Sequence, residues 1–231
     1  AAVPLMLVGG GIVSVLVAVG AERFAHRPLR QAPRLAPLIT AIGLSLTLQE
    51  LVRNFYPGAD KSRSFPSLGG THSFGSVDIT DADIFLVCAA IVCMSSLAWF
   101  VRKSRTGRAM QATAQDPDTA QLMGIDTNRI IVVAFAIGGF FAAVAAVSYG
   151  LKYGNIDYRM GFLMGLKAFT AAVMGGIGNL KGAVVGGLII GVIQAISDDY
   201  AQPVWTNAIV FAILILVMVF RPQGLFGEET R

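Results

Sequence analysis

Uncharged apolar runs alternate with charged segments along the whole chain. Residues 1–21 carry no charge before Glu22, and 35–49, 84–101 and 130–151 are likewise uncharged. Two further runs, 168–180 and 182–197, are separated only by Lys181, and the last, 204–220, ends at Arg221-Pro222. A helix rising ~1.5 Å per residue needs about 20 mainly apolar residues to cross ~30 Å of hydrocarbon. Backbone groups in lipid must bond internally, so each run reads as a helix. The pattern predicts an all-α, polytopic transmembrane helical bundle of about seven spans, forming a single transmembrane domain over 1–231. The runs at 35–49 and 168–180 are short, so each borrows flanking residues or is broken or re-entrant.

Composition supports this reading. Hydrophobic residues make up 55% of the 231 and charged residues only 14%, with a mean hydropathy of +0.66 and 26 glycines. An ordinary soluble domain carries roughly 25% charge, and glycine is more frequent in membrane helices than in soluble ones. Disordered acidic tails, collagen-like fibres and nucleic-acid modules are excluded, and the net charge of +4 needs another explanation than phosphate binding.

The placement of the cations supplies one. Arg23, Arg27, Arg30 and Arg34, then Arg102, Lys103, Arg105, Arg108 and Arg129, then Lys181, Arg221 and Arg231 put twelve in one set of alternate loops. The other set holds six: Arg53, Lys61, Arg63, Lys152, Arg159 and Lys167. The positive-inside rule assigns the twelve to the cytoplasm, so the chain starts outside and its C-terminus is cytoplasmic. It opens inside an apolar run, without Met or a basic leader, and is expected to be the later part of a longer, N-terminally truncated protein.

Several chemistries are missing. No G-x-x-x-x-G-K-[ST] phosphate loop occurs, so a nucleotide motor of that class lies elsewhere. The two histidines, His26 and His72, fall in different kinds of loop and propose no metal site. Cys88 and Cys93 stand about 140° apart on one helix and are not a preformed pair. No Asp or Glu lies inside any span, Glu22 and Glu50 only flanking helix ends, which disfavours proton coupling and intramembrane catalysis alike. No catalytic residue and no bound cofactor is expected.

The loop at 102–129 carries the most local information. Thr106 is expected to cap a short helix through Ala109, Ala112 and Ala114 that stops at Asp116. Asp116 then caps a second, with Pro117 at its first position and Gly124 as a left-handed stop. Asp126 and Thr127 cap the following span. Such short helices are marginal alone and need the membrane domain or a partner to hold them, and Leu122-Met123 face nothing obvious. From these residues alone the pair reads either as a docking surface or as a solvated positive-inside loop.

The second informative stretch is glycine-rich. Gly178, Gly182 and Gly186 recur at i+4, as do Gly187 and Gly191, a spacing that lets helix backbones approach closely. The cluster Gly175-Gly176-Ile177-Gly178-Asn179 reads either as a tight turn or as a broken helix whose freed backbone lines a polar path. Lys167 at its mouth reads as an interfacial anchor. Loop 53–83 is long enough to meet an external partner.

With these segments read, the chain resembles the permease subunits of branched-chain amino acid ABC importers. The matching stretches are ERFAHRPLR at 22–30, LAPLITAIGLSLTLQ at 35–49, RTGRAMQATAQDPDTAQLMGID at 105–126, GLKAFTAAVMGGIGNLKGAVVGGLIIGVIQAI at 165–196 and RPQGLFG at 221–227. The likeness covers nearly the whole chain, although family members carry roughly two more hydrophobic segments at the N-terminus. It implies an integral protein of the bacterial inner membrane that pairs with a second permease subunit and two cytoplasmic ABC ATPase subunits, which use ATP and Mg. An extracytoplasmic solute-binding protein delivers the substrate. Carried over by position, Arg105, Gly107, Arg108, Ala109, Ala112, Asp116, Ala120, Gly124 and Ile125 form the ATPase-coupling surface. Phe169, Gly175, Gly176, Gly178 and Asn179 are the expected wall of the translocation pathway. Permeases for urea or short amides are similar, and a stand-alone channel or ion-coupled carrier is the alternative of a different class. The capped loop separates that alternative from an importer, because a channel has no reason to build it.

Overall fold

The computed structural model describes residues 2–29, 36–56, 63–66, 69–74, 77–176, 178–200, 203–221 and 224–226. Of the cations counted above, Arg30, Arg34, Lys61 and Arg231 lie outside these, as do Ile177 and three residues of the 221–227 stretch. Seven long helices correspond to the seven runs: α1 (Ala2–Ala21), α2 (Ala36–Phe55), α3 (Asp81–Lys103), α6 (Thr127–Tyr153), α7 (Met160–Gly175), α8 (Leu180–Tyr200) and α9 (Pro203–Phe220). Between α3 and α6 stand the short α4 (Arg105–Gln115) and α5 (Pro117–Leu122). Among the described residues four segments are long and apolar enough to cross a membrane, namely Val3–Leu29, Asp81–Lys103, Thr127–Tyr153 and Leu180–Tyr200. Met160–Gly175 and Trp205–Val217 are shorter apolar helices.

The two short runs resolve differently. The one at 35–49 borrows from its C-terminal side and continues to Phe55, through Glu50 and Arg53. The one at 168–180 borrows from its N-terminal side, across Lys167, and stops early at Gly175. The expectation for Glu22 is corrected. The helix does not end there but continues through a π turn, Glu22–His26, and a 3-10 turn, Arg27–Leu29, and the Glu22 side chain is fully buried. A π turn carries one extra residue and so rotates the buried face. It sets the His26 ring against Phe135 of α6, centroids 5.1 Å apart.

The chain divides into two compact units, residues 1–159 and 160–231. In the first, α1 lies along α6 at backbone distance. A methyl added to Gly139 would stand 2.8 Å from the Ala18 Cβ and 2.9 Å from the Ser14 carbonyl oxygen, and the Ser14 hydroxyl donates to Gly139 O at 2.6 Å. In lipid, such close approach replaces the hydrophobic drive as the source of helix association. At one end of this unit Ala82, Val147 and Leu151 form a small core with Phe65 and Phe85, and Lys152 pairs with Asp83 across α3 and α6.

Loop 53–83 is not featureless. Strand β1 (Arg63–Ser64) pairs with β4 (Asn155–Ile156), and β2 (Thr71–Phe74) pairs with β3 (Val77–Thr80), both antiparallel. Phe65 N donates to Gly154 O at 2.7 Å and the Phe65 ring covers Gly150, so the loop is tied to the end of α6. These ladders are too short to appear as alternation in the sequence.

In the second unit α7 and α8 form a hairpin, with α9 packed on it through Met174, Ile190 and Val210. Of the glycine spacing, Gly182 and Gly186 make the contact. Methyls there would stand 2.2 Å from the carbonyl oxygens of Gly175 and Ala171 respectively. Gly178 belongs to the turn instead, Gly191 faces open space, and Gly187 has only an ordinary contact with Ala171. The i+4 repeat therefore overstates the seam, because only the stretch nearest the turn lies close enough to need glycine.

Candidate functional site

The α4–α5 element is built by a chain of caps. Ser104 does two things: its N–H closes the last turn of α3 on Phe100 O at 3.0 Å, and its hydroxyl accepts the Gly107 N–H at 2.8 Å to start α4. The expected cap was Thr106, two residues later. Gly107 decides the difference. It is buried against the end of α3, where an added methyl would stand 2.4 Å from Phe100 O and 2.5 Å from Val101 Cα. Only a helix beginning at Arg105 turns this glycine inward.

The remaining local features follow the sequence. Asp116 ends α4 and caps α5, accepting from Asp118 N at 3.0 Å, Thr119 N at 3.1 Å and the Thr119 hydroxyl at 2.5 Å. The Thr119 hydrogen bonds hold its carboxyl below the usual carboxylate range. Pro117 opens α5 where no N–H is required. Gly124 takes φ +81°, its N–H bonds Gln121 O, and Ile125 N bonds Ala120 O, the paired arrangement of a left-handed helix stop. Asp126 Oδ1 then accepts Arg129 N at 3.2 Å to start α6, while the Thr127 hydroxyl receives Gln121 Nε2 at 2.8 Å and fixes α5 to α6. Thr127, expected to share the cap, does not: Asp126 alone caps α6, and Thr127 is its first residue and the tether for α5.

The expected coupling residues divide by exposure. Gly107 and Ala120 are buried, Ala109, Ala112 and Ile125 are half-buried, and Arg105, Arg108, Asp116 and Gly124 are exposed. Beside them stand Leu122 and Met123, 88% and 79% exposed. Two apolar side chains bared this far, on an element fixed to α3 at one end and to α6 at the other, make a surface open to contact. Behind it, α4, α5 and α6 line a cleft of about 750 Å³ that includes Arg27, Thr113 and Asp118.

The glycine cluster forms a turn. Gly176 and Gly178 have φ of +108° and +95°, and Asn179 Oδ1 caps α8 by accepting Lys181 N and Gly182 N at 3.0 and 3.2 Å. A segment near the C-terminus reaches back to it. Leu225 N donates to Met174 O at 2.8 Å, Phe226 N to Gly175 O at 3.1 Å, and Asn179 Nδ2 to Phe226 O at 3.0 Å. The last carbonyls of α7 are thereby satisfied within the unit. Gly175 and Gly176 are buried, Asn179 is half-buried, and Phe169 is 47% exposed on α7. Lys167 Nζ donates to Gln194 Oε1 of α8 at 2.9 Å, so the side chain is held against the neighbouring helix. Among the described residues no cluster of His, Cys, Asp and Glu could hold a metal, and Cys88 and Cys93 are free thiols.

Comparison with known proteins gives this architecture its place. Residues 1–218 match the model of the family described as branched-chain amino acid transport system / permease component. The chain belongs to this family. The permease is 41% identical over 236 residues to the high-affinity branched-chain amino acid transport system permease protein BraD of Pseudomonas aeruginosa, covering 98% of this chain and 76% of that one. It is 41% identical over 237 residues to the corresponding protein LivH of Escherichia coli K12, covering 96% and 75%. The autoinducer 2 import system permease protein LsrC of Escherichia coli matches more distantly, 31% over 137 residues, or 56% and 40% of the two chains. No solved structure matches it. Membership and the apolar helices together make the permease an integral membrane protein and a transport component.

Proposed function

We propose that this permease is the membrane subunit of an ATP-driven importer of branched-chain amino acids in a bacterial inner membrane. The substrate class rests on the names of its 41%-identical relatives. The observation that carries the mechanism is the α4–α5 element, held to α3 through Ser104 and Gly107 and to α6 through Gln121 and Thr127. On this reading a cytoplasmic ABC ATPase seats on Arg105, Arg108, Leu122 and Met123, and its ATP-driven closure moves α3 and α6 because no slack lies between them. Asp116, Gly124 and Ile125 shape that surface, while Gly107, Ala109, Ala112 and Ala120 bed it on the membrane helices. Such a push shifts the inward–outward equilibrium only by the difference in contact energy between the two states.

The twelve-to-six division of cations supports a cytoplasmic side for this element and for the C-terminus. A second permease subunit completes the pathway and an extracytoplasmic binding protein supplies the solute. Phe169 and the turn Gly175, Gly176, Gly178 and Asn179 form one wall, the turn contributing shape, since Phe226 already takes the Gly175 carbonyl. ATP and Mg act in the partner subunits.

The test is co-purification. The full-length parent chain, expressed with its ATPase subunits and extracted in mild detergent, retains the motor, and Arg108→Glu releases it without loss of membrane insertion. Retention unaffected by Arg108→Glu sinks the docking surface. No retention by the wild type turns the assignment to a stand-alone channel or carrier.

A further inference from the structure

An open groove of about 450 Å³ runs between α3 and α6, and the proposed import mechanism makes no use of it. Ser96, Trp99 and Phe100 of α3 and Val133, Ala136 and Phe140 of α6 line it. Its walls are apolar. The Ser96 hydroxyl is engaged within its own helix, donating to Cys93 O at 2.9 Å, while Trp99 and Phe140 are 65% and 47% exposed. The volume falls within the range of small-molecule sites. In a membrane protein a groove of this kind, bared along its outer side, has room for a fatty chain that a smooth helix face lacks.

The depth of the groove follows from the Lys152–Asp83 pair, which sets α3 and α6 antiparallel with those two residues at one level. Counted from there at ~1.5 Å per residue, the groove lies about 17–29 Å along, in the half of the spans nearer α4 and α5. Lys103 follows at about 30 Å and Arg129 at about 35 Å. Both stand on the face of their helix that carries the groove. Lys103 comes three, four and seven residues after Phe100, Trp99 and Ser96, and Arg129 four and seven residues before Val133 and Ala136. The acid at this end is Asp126, whose Oδ1 caps α6 and whose Oδ2 lies 3.9 Å from Arg129 Nε. Asp116 and Asp118 belong to α5, the first as its cap and the second in the other cleft. Arg102 and Lys103 are exposed, and among the described residues Lys103 makes no ion pair. One carboxylate against three cations leaves the mouth of the groove positive.

We propose that this groove holds an acyl chain of an anionic phospholipid whose phosphate is bound by Lys103 and Arg129. Trp99 stands one turn before Lys103, at the level where fatty chain gives way to glycerol and phosphate, the depth at which indole rings collect. The Lys103 stem lies along the end of the groove while its ammonium reaches the head group. A zwitterionic lipid fits the same walls and gains less from the two cations, so head-group charge sets the preference. A transmembrane helix of another subunit, seated here, would bring apolar surface to the groove and leave both cations without a counter-charge. The site depends on the permease lying in a membrane and not on the solute it moves.

The test is native mass spectrometry of the purified full-length complex, delipidated and then titrated with phosphatidylglycerol or with phosphatidylcholine of the same chains. The wild type is expected to bind one phosphatidylglycerol more tightly than phosphatidylcholine. Lys103→Gln and Arg129→Gln should each weaken phosphatidylglycerol about fivefold and leave phosphatidylcholine unchanged. Ala136→Phe, which fills the groove, should remove this binding for both lipids. Equal binding of the two lipids by the wild type overturns the proposal, as does a preference that survives both Gln substitutions together. These two outcomes decide the matter even if Ala136→Phe fails to assemble, because Lys103 and Arg129 are exposed. A preference that Ala136→Phe leaves intact means the head group binds without a chain in the groove, and overturns it too. A photocrosslinker in place of Ala136 that captures the second permease, with no lipid bound, assigns the groove to a subunit interface and likewise overturns the proposal.

Discussion

Gly107→Ala tests whether α4 is rigidly bedded on α3. In an open helix this substitution stabilises by about 0.5–1 kcal/mol, because alanine loses less backbone freedom on folding. Here the sign reverses. The new methyl would stand 2.4 Å from Phe100 O and 2.6 Å from Val101 O, both backbone atoms that cannot rotate away. Ordinary C···O contact begins near ~3.3 Å, so α4 must lift by about 0.9 Å. Overpacking of this kind typically costs about 1–3 kcal/mol. The lift also pulls Gly107 N from the Ser104 hydroxyl, a cap worth about 0.5–2 kcal/mol. The two together match or exceed what a six- to eleven-residue helix holds alone, so α4 should detach while the long spans stay inserted. Hydrogen exchange across 104–115 in the purified complex, beside ATP-driven uptake, reads both effects. Faster exchange and uptake reduced about tenfold are expected. Unchanged exchange and uptake would refute the claim that α4 is seated on α3 at backbone contact.

Other expectations follow from the same geometry. Asp116→Ala should destabilise α5, whose first N–H groups it caps, and raise exchange over 117–123 without touching the spans. Because the Asp116 carboxyl is held below its usual range in the folded state, its contribution is complete above the ordinary carboxylate pKa. It is lost as the pH falls through the lowered value, so exchange in α5 should rise only in acid. Gly224→Ala should loosen the α7–α8 turn, since the residue has φ +81° and its methyl would stand 2.5 Å from Gly176 N. A fall in detergent melting temperature of the complex checks this. Leu122→Ser with Met123→Ser should leave that melting temperature unchanged and weaken ATPase retention, as both side chains are almost wholly exposed.

What could be read from the sequence was mostly local. The spans follow from apolar run length, and Asp116-Pro117 and Gly124 announce a cap and a stop through chemistry that acts within five residues. Family membership was legible from the 105–126 and 165–196 stretches. Features that depend on approach between distant segments were not legible. Ser104 and Thr106 are equally good caps in isolation, and the choice falls to Gly107 meeting the end of α3. Glu22 looked like a boundary because a charge normally ends a span, whereas a π turn carries the helix through it and buries it. The Lys167–Gln194 pair joins residues 27 apart, and the clasp of 224–226 on the α7 terminus joins residues about 50 apart, so no spacing rule reaches either.

The clasp has a consequence for how the permease is made. Asn179 waits for the Phe226 carbonyl, which follows it by 47 residues. At about 5–20 residues per second, that is several seconds of translation. During this interval α7 and α8 have emerged while the carbonyls of Met174 and Gly175 lack their final donors. The hairpin is therefore provisional until α9 has been threaded and the ribosome has delivered Leu225 and Phe226. A product lacking these two residues enters the membrane with the last carbonyls of its hairpin unsealed.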